Sequence, residues 1–152
     1  VKGPFIALHA RTFCHATESL DKVQLALATV VGEADIKSMR SEGHHGNPIT
    51  VLESTIEDPG GIAAFFERMT NEDLETVERQ VSSRIDDSCD LFIRLDKQAA
   101  YQGEVRLATD ADVISVRLRV RAFPSRPEIA CDVVKRFLAE KRAKGERQRP
   151  QL

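Results

Sequence analysis

The sequence predicts an α+β fold, a two-layer arrangement in which a largely antiparallel mixed sheet carries its helices on one face. Three observations predict it. Two segments, Phe5–Cys14 and Val113–Ala122, alternate in side-chain character with the period of a strand. Four others place apolar residues at the spacing of an amphipathic helix. The order reads β α β β α α β β β α, without the strict alternation of parallel α/β folds.

In the first strand, Ile6, Leu8, Ala10 and Thr12 share one face, and Ala7, His9, Arg11 and Phe13 the other. Ser19 suits an N-cap for a helix carrying Leu20, Val23, Leu27 and Val30, and Gly32 suits its C-terminal cap. Ile36–Ser41 and the β-branched run Ile49–Ile56 read as an antiparallel pair joined by the loop Gly43-His44-His45-Gly46-Asn47-Pro48. Asp58-Pro59 opens a helix with Ile62, Phe65, Phe66 and Met69. Thr70 or Asn71 caps the next, with Leu74, Val77 and Val81 on one side.

Asp86-Asp87-Ser88 is turn-like. Leu91–Asp96 is a strand, Lys97–Gln102 a short helical turn ended by Gly103, and Glu104–Ala108 and Asp112–Ala122 two further strands. Ser125 with Glu128 has the spacing of a capping box, with Pro127 in the first turn. The last helix carries Ile129, Val133, Val134, Phe137 and Leu138. One domain is expected over residues 1–141, and a basic, flexible tail over 142–152.

Composition bounds the function. A chain of 152 residues is long enough to build a core without metals or staples. Cys14, Cys89 and Cys131 form no CxxC pair, and an odd count without a secretory signal points to free thiols in a reducing compartment. A cytoplasmic location without membrane attachment is expected, because no apolar run approaches a bilayer span. Net charge is only −2, yet residues 117–152 hold eleven basic and four acidic side chains. That asymmetry marks a polyanion-binding surface or a solvated helix with cations near its C-terminus.

The strand after Val113 carries the strongest chemical pattern. Ile114, Val116, Leu118 and Val120 face one way; Ser115, Arg117, Arg119 and Arg121 face the other. Same-face residues repeat every ~6.8 Å, close to the spacing of phosphates along a nucleic-acid strand, so successive guanidinium forks can track a backbone. Arg11, Arg94 and Arg106, with His9, Phe13 and Phe92, join that face if the other strands turn their apolar sets inward. The alternative is a solvated face neutralised by Asp96, Glu104 and their neighbours.

The glycine-flanked His44 and His45 could meet a phosphate or a base, or form a structural turn. A metal site is not expected there, since no spacing supplies a third ligand. Arg94 and Lys97 could hold an anion at the strand-to-turn junction, where Asp96 could instead cap the turn and local satisfaction explain the polar crowd. No P-loop, dinucleotide fingerprint or nucleophile elbow is present, so neither an enzyme nor a cofactor is expected.

The blocks Glu42-Gly43-His44-His45-Gly46-Asn47-Pro48-Ile49 and Arg94-Leu95-Asp96-Lys97-Gln98-Ala99-Ala100-Tyr101-Gln102-Gly103-Glu104 resemble the signatures of an archaeal family. So does His15-Ala16-Thr17-Glu18 after the first strand. The family is described as predicted RNA-binding proteins or predicted exosome subunits, and the resemblance spans roughly residues 5–122. It implies a fold similar to that of the ribosomal large-subunit protein that binds 5S rRNA. The expectation is an RNA-binding module without catalysis of its own, accessory to RNA processing or degradation. Its expected partners are RNA, RNA-processing proteins or a second copy in a homodimer. Its expected RNA-binding residues are Arg94, Lys97, Arg106, Arg117, Arg119, Arg121, His44 and His45. The alternative is a protein–protein adaptor or homodimeric structural module.

Overall fold

The computed structural model describes residues 3–42 and 48–148. Its elements are β1 (Phe5–Cys14), α1 (Leu20–Val31), β2 (Ile36–Glu42), β3 (Pro48–Ile56), α2 (Pro59–Arg68), α3 (Asn71–Arg79), α4 (Val81–Arg84), β4 (Asp90–Asp96), α5 (Lys97–Tyr101), β5 (Val113–Val120) and α6 (Pro127–Gln148). The strands form one open sheet in the order β2-β3-β1-β5-β4, and every neighbouring pair is antiparallel. The fold class is the expected α+β.

The helices cover one face because the apolar sets of the strands point there. Leu8, Ala10, Leu52, Leu91, Ile93, Leu95, Ile114, Val116, Leu118 and Val120 are all buried. They meet Val23, Ala26, Leu27 and Val30 of α1, Phe65 and Phe66 of α2, and Ala130, Val134 and Leu138 of α6. Phe5, Phe66 and Phe137 form a ring cluster with centroids 4.9–5.3 Å apart. Such aromatic pairs stabilise beyond the area they bury, by about 0.5–1.5 kcal/mol each. Among the described residues no helix is long and apolar enough to cross a membrane.

Side-chain caps set the starts of α1, α2 and α3. Ser19 accepts from the Lys22 N–H, Asp58 from the Gly61 N–H and Thr70 from the Asp73 N–H. Each satisfies an amide that the first helical turn leaves without a carbonyl partner. Gly32 ends α1 with φ 68° and ψ −129°, a positive-φ conformation open to glycine though not the αL form of the usual cap, and its N–H donates to the Ala28 carbonyl.

Four expectations are corrected. Ile6 does not join the buried set of β1. The pairing with β5 shifts between Phe5 and Ala7, which turns Phe5 inward and leaves Ile6 exposed. Glu104–Ala108 is not a strand: it makes only isolated bridges, Val105 with Met69 and Leu107 with Leu95, and the Leu107 N–H, on the side away from β4, donates to the Asp73 carboxylate at 3.1 Å. Ser125 forms no capping box; its hydroxyl donates to the Ala122 carbonyl, and Arg126 accepts the first helical bond of α6 from the Ala130 N–H. The last helix does not end at Lys141. It continues to Gln148, and Lys141 and Arg142 dock on Glu67 of α2 and Glu78 of α3.

The two edges of the sheet differ. Along β4, Asp90, Phe92 and Arg94 present carbonyls that accept from the Asp86 N–H, Arg84 Nη1 and the Ala108 N–H, and the Asp96 N–H donates to the Arg106 carbonyl. That edge is closed along its length. The outer edge of β2 makes no hydrogen bond among the described residues.

Candidate nucleic-acid interface

The face of the sheet away from the helices is open, and the strand registers determine what it carries. His9 pairs with Arg117 and Thr55, Arg11 with Ser115 and Glu53, and Phe92 with Arg117. Lys37 lies opposite Glu53, Arg94 opposite Ser115, and Asp90 opposite Arg119. Five cations, Arg11, Lys37, Arg94, Arg117 and Arg119, therefore share the face with Glu53, Asp90 and Asp96. The Asp96 carboxylate is occupied as the cap of α5, where it accepts from the Gln98 and Ala99 N–H groups. The balance is positive, although the whole chain is acidic.

A shallow depression of about 250 Å³ opens at the centre of this face, lined by His9, Arg11, Glu53, Thr55, Phe92 and Arg117. His9 Nδ1 lies 3.0 Å from the Thr55 hydroxyl. Arg11 is 3.4 Å from Glu53 and stacks over Phe13, 5.3 Å from its centroid. Phe13 and Phe92 are exposed by 42% and 41%. Asp90 is 4% exposed, and its carboxylate lies 3.3 Å from Arg119 Nε and 4.0 Å from Arg117 Nε. Both arginine side chains remain half exposed.

The expected site residues separate into those on this face and those elsewhere. Arg94, Arg117 and Arg119 lie on it. Arg121 lies just past β5, its Nε donating to the Gly3 carbonyl at 3.2 Å. Arg106 is not on the face: it turns to α3, with Nε 3.2 Å from Asp73. Lys97 is fully buried, and its ammonium donates to the Phe13 carbonyl, Glu18 and Asp112 at 2.7, 2.9 and 3.2 Å. An anion at Lys97 is thus a correction, because three oxygens already surround the charge. His44 and His45 lie outside the described residues.

Lys97 also explains the one metal-like grouping among the described residues, His15, Glu18 and Asp112, whose ligand atoms lie within 4.8 Å of one another. Its ammonium bridges both carboxylates, so a cation of the chain's own holds the position between them. Burial alone would raise the Glu18 carboxyl. Hydrogen bonds from Lys97, the His15 N–H and Tyr101 outweigh it and hold the group below the usual carboxylate range. Burial, and then the hydrogen bond to Glu18, push the Tyr101 phenol up.

Sequence reasoning did not single out Lys37 or Asp90 as parts of this face. The alternation Lys37, Met39, Ser41 could have revealed the first. Asp90 sat among turn-forming aspartates, and only its pairing with Arg119 shows its place.

A family model described as RNA binding matches residues 7–120. An RNA-binding protein of Pyrococcus abyssi is 35% identical over 141 residues, covering 86% of this chain and 92% of its own. An uncharacterized protein of Methanocaldococcus jannaschii is 26% identical, covering 72% of this chain and 80% of its own. A solved DUF54 protein of Methanothermobacter thermautotrophicus matches with a TM-score of 0.78 at 30% identity, covering 88% of this chain and 98% of that one.

Proposed function

The chain belongs to the RNA-binding family, and from that premise we propose that it binds RNA on the open face of its sheet and performs no reaction of its own. One observation carries the reading: four exposed arginines, Arg11, Arg94, Arg117 and Arg119, surround two exposed phenylalanines, Phe13 and Phe92, on one surface. Guanidinium forks bind phosphate oxygens, and phenyl rings stack on unpaired bases. The depression beside His9 and Phe92 gives a base somewhere to turn in, between Thr55 on one side and Arg117 on the other. Single-stranded RNA, or an unpaired stretch of a structured RNA, suits this surface best, because a duplex keeps its bases stacked inside.

The finer role, accessory to RNA processing or degradation, fits a module that holds a strand while a partner acts on it. The absence of a recognisable catalytic motif and the one-sided site support that role.

Titrating labelled RNA against the protein in a salt series tests the reading. Affinity falls with salt, with a slope of roughly 0.7 in log K per log salt for each phosphate contact to a single strand. Replacing Arg94, Arg117 and Arg119 together with alanine removes most of the affinity and lowers that slope; the nearly buried Asp90 then loses both partners, so the melting temperature is expected to fall and affinity is read where the variant is folded. A wild-type protein that ignores RNA at about 50 mM salt overturns the reading and leaves the protein–protein adaptor in its place.

A further inference from the structure

Phe123 is exposed by 81%, the most of any large apolar side chain among the described residues. The fold buries Phe5, Phe65 and Phe66 completely or nearly so, and leaves this ring in water. Its position is set by β5. Pairing continues past the end of that strand, where the Val120 N–H donates to the Cys89 carbonyl at 2.9 Å and the Arg121 N–H to the Pro4 carbonyl at 2.7 Å. Ala122 is buried and Arg121 half-buried, so the alternation of β5 persists. Residues 117, 119 and 121 thus keep to one side, and the chain bends at Phe123, just beyond them. The turn beyond is tied by the Ser125 hydroxyl on the Ala122 carbonyl and the Arg126 N–H on the Pro124 carbonyl.

We propose that Phe123 is a stacking site for an unpaired RNA base, at the end of a track that runs along β5 over Arg117 and Arg119. The proposal rests on the open face being the RNA site and adds a direction to it. Phe123 is six residues beyond Arg117, so at most ~20 Å separates them, a span that a single strand of several nucleotides covers. The ring's neighbours in sequence argue for nucleic acid as its occupant: Arg121 precedes it and Arg126 follows, with no carboxylate between them. Guanidinium groups beside an exposed ring match a base and its phosphate, whereas an apolar peptide would gain from the ring alone. Stacking of this kind tolerates any base, because every base presents a π-face.

The chain contains no tryptophan, so Phe123→Trp installs a single indole at the proposed site. The probe is a labelled oligouridine of about 12 nucleotides, within the usual range for single-strand sites. The expected result is an indole emission that quenches and saturates in step with the anisotropy of the label. In parallel, Phe123→Ala weakens the strand about tenfold, as loss of one stacked base does, and leaves binding of a fully paired RNA duplex unchanged. The ring is largely in water, so both variants should melt like the wild type. An oligouridine that binds without altering the indole, or an alanine variant of undiminished affinity, overturns the proposal and assigns the ring to a protein partner. A wild type that binds no RNA is a separate result, which overturns the open-face reading itself.

Discussion

Asp90 and Arg119 are directly opposite each other across β4 and β5, and the arginine Nε donates to the aspartate at 3.3 Å. The other carboxylate oxygen lies 4.0 Å from Arg117 Nε. A nearly buried anion thus sits beneath two half-exposed guanidinium groups and engages their Nε edges. Their Nη edges make no hydrogen bond among the described residues. The arginines are held in place without being used up.

Asp90→Asn tests which role of that anion dominates. An RNA phosphate held by these arginines feels the repulsion of Asp90. A unit charge ~6 Å away in an effective dielectric of ~40 is worth ~1.4 kcal/mol, a ceiling of about tenfold. The variant is expected to bind RNA several-fold more tightly at low salt, because an amide oxygen still accepts from Arg119. A weaker variant, read by the same anisotropy titration, would show that orientation outweighs repulsion.

Arg117→Lys with Arg119→Lys keeps both charges and removes both planar forks. The salt dependence is expected to stay near that of the wild type, while affinity drops several-fold at every salt concentration. Unchanged affinity would mean that the face attracts RNA as a charged surface, without directed contacts.

Lys97 joins three distant segments through Phe13, Glu18 and Asp112. Removing one partner of a buried ion pair typically costs about 3–5 kcal/mol, and Lys97→Met is expected to lose stability on that scale in a urea titration. RNA affinity, measured where the variant is still folded, should hold.

Glu18 makes the same cluster acid-sensitive. Its folded carboxyl lies below the usual range, so the folded state binds its proton less readily than the unfolded chain does. The stabilisation is complete above the unfolded value of about 4.3 and is lost as pH falls through the lower folded value. Glu18→Gln is expected to be less stable at neutral pH and to have a flatter stability profile below about pH 4.3. An acid slope equal to that of the wild type would remove Glu18 from the account.

Arg142 donates through Nε to Glu78 at 2.8 Å, in a pair that is largely buried on both sides. Ending the chain after Lys141 is therefore expected to cost about 1 kcal/mol. Ending it after Gly145 should change stability little. Equal melting temperatures for the two truncations would place the boundary at Lys141.

The sheet was legible because one strand betrayed its environment. Ile114, Val116, Leu118 and Val120 alternate with polar residues so regularly that no other register buries them, and the caps at Ser19, Asp58 and Thr70 were equally local signals. What escaped reading depends on distant partners. The burial of Lys97 needs Phe13 and Glu18, which lie 84 and 79 residues away. Glu104–Ala108 has the composition of a strand, but it meets β4 at a single bridge, Leu107 with Leu95. The bulge at Ile6 depends on how β1 meets β5. The basic stretch after Lys141 looks like a solvated end until Glu67 and Glu78 are brought beneath it. Of the site, the arginines on β5 could be read as a group, and the anion that orients them could not.

The unequal edges of the sheet limit how copies of this chain can associate. An unpaired edge is a template for another strand, and a molecule with two such edges can polymerise without end. Here Arg84, Asp86, Arg106 and Ala108 occupy the outer side of β4, so growth in that direction is blocked. Among the described residues, β2 is the sheet edge left for strand addition. Two copies meeting there, antiparallel about a twofold axis, would use up both free edges at once, and the result is a closed pair with no fibre to follow.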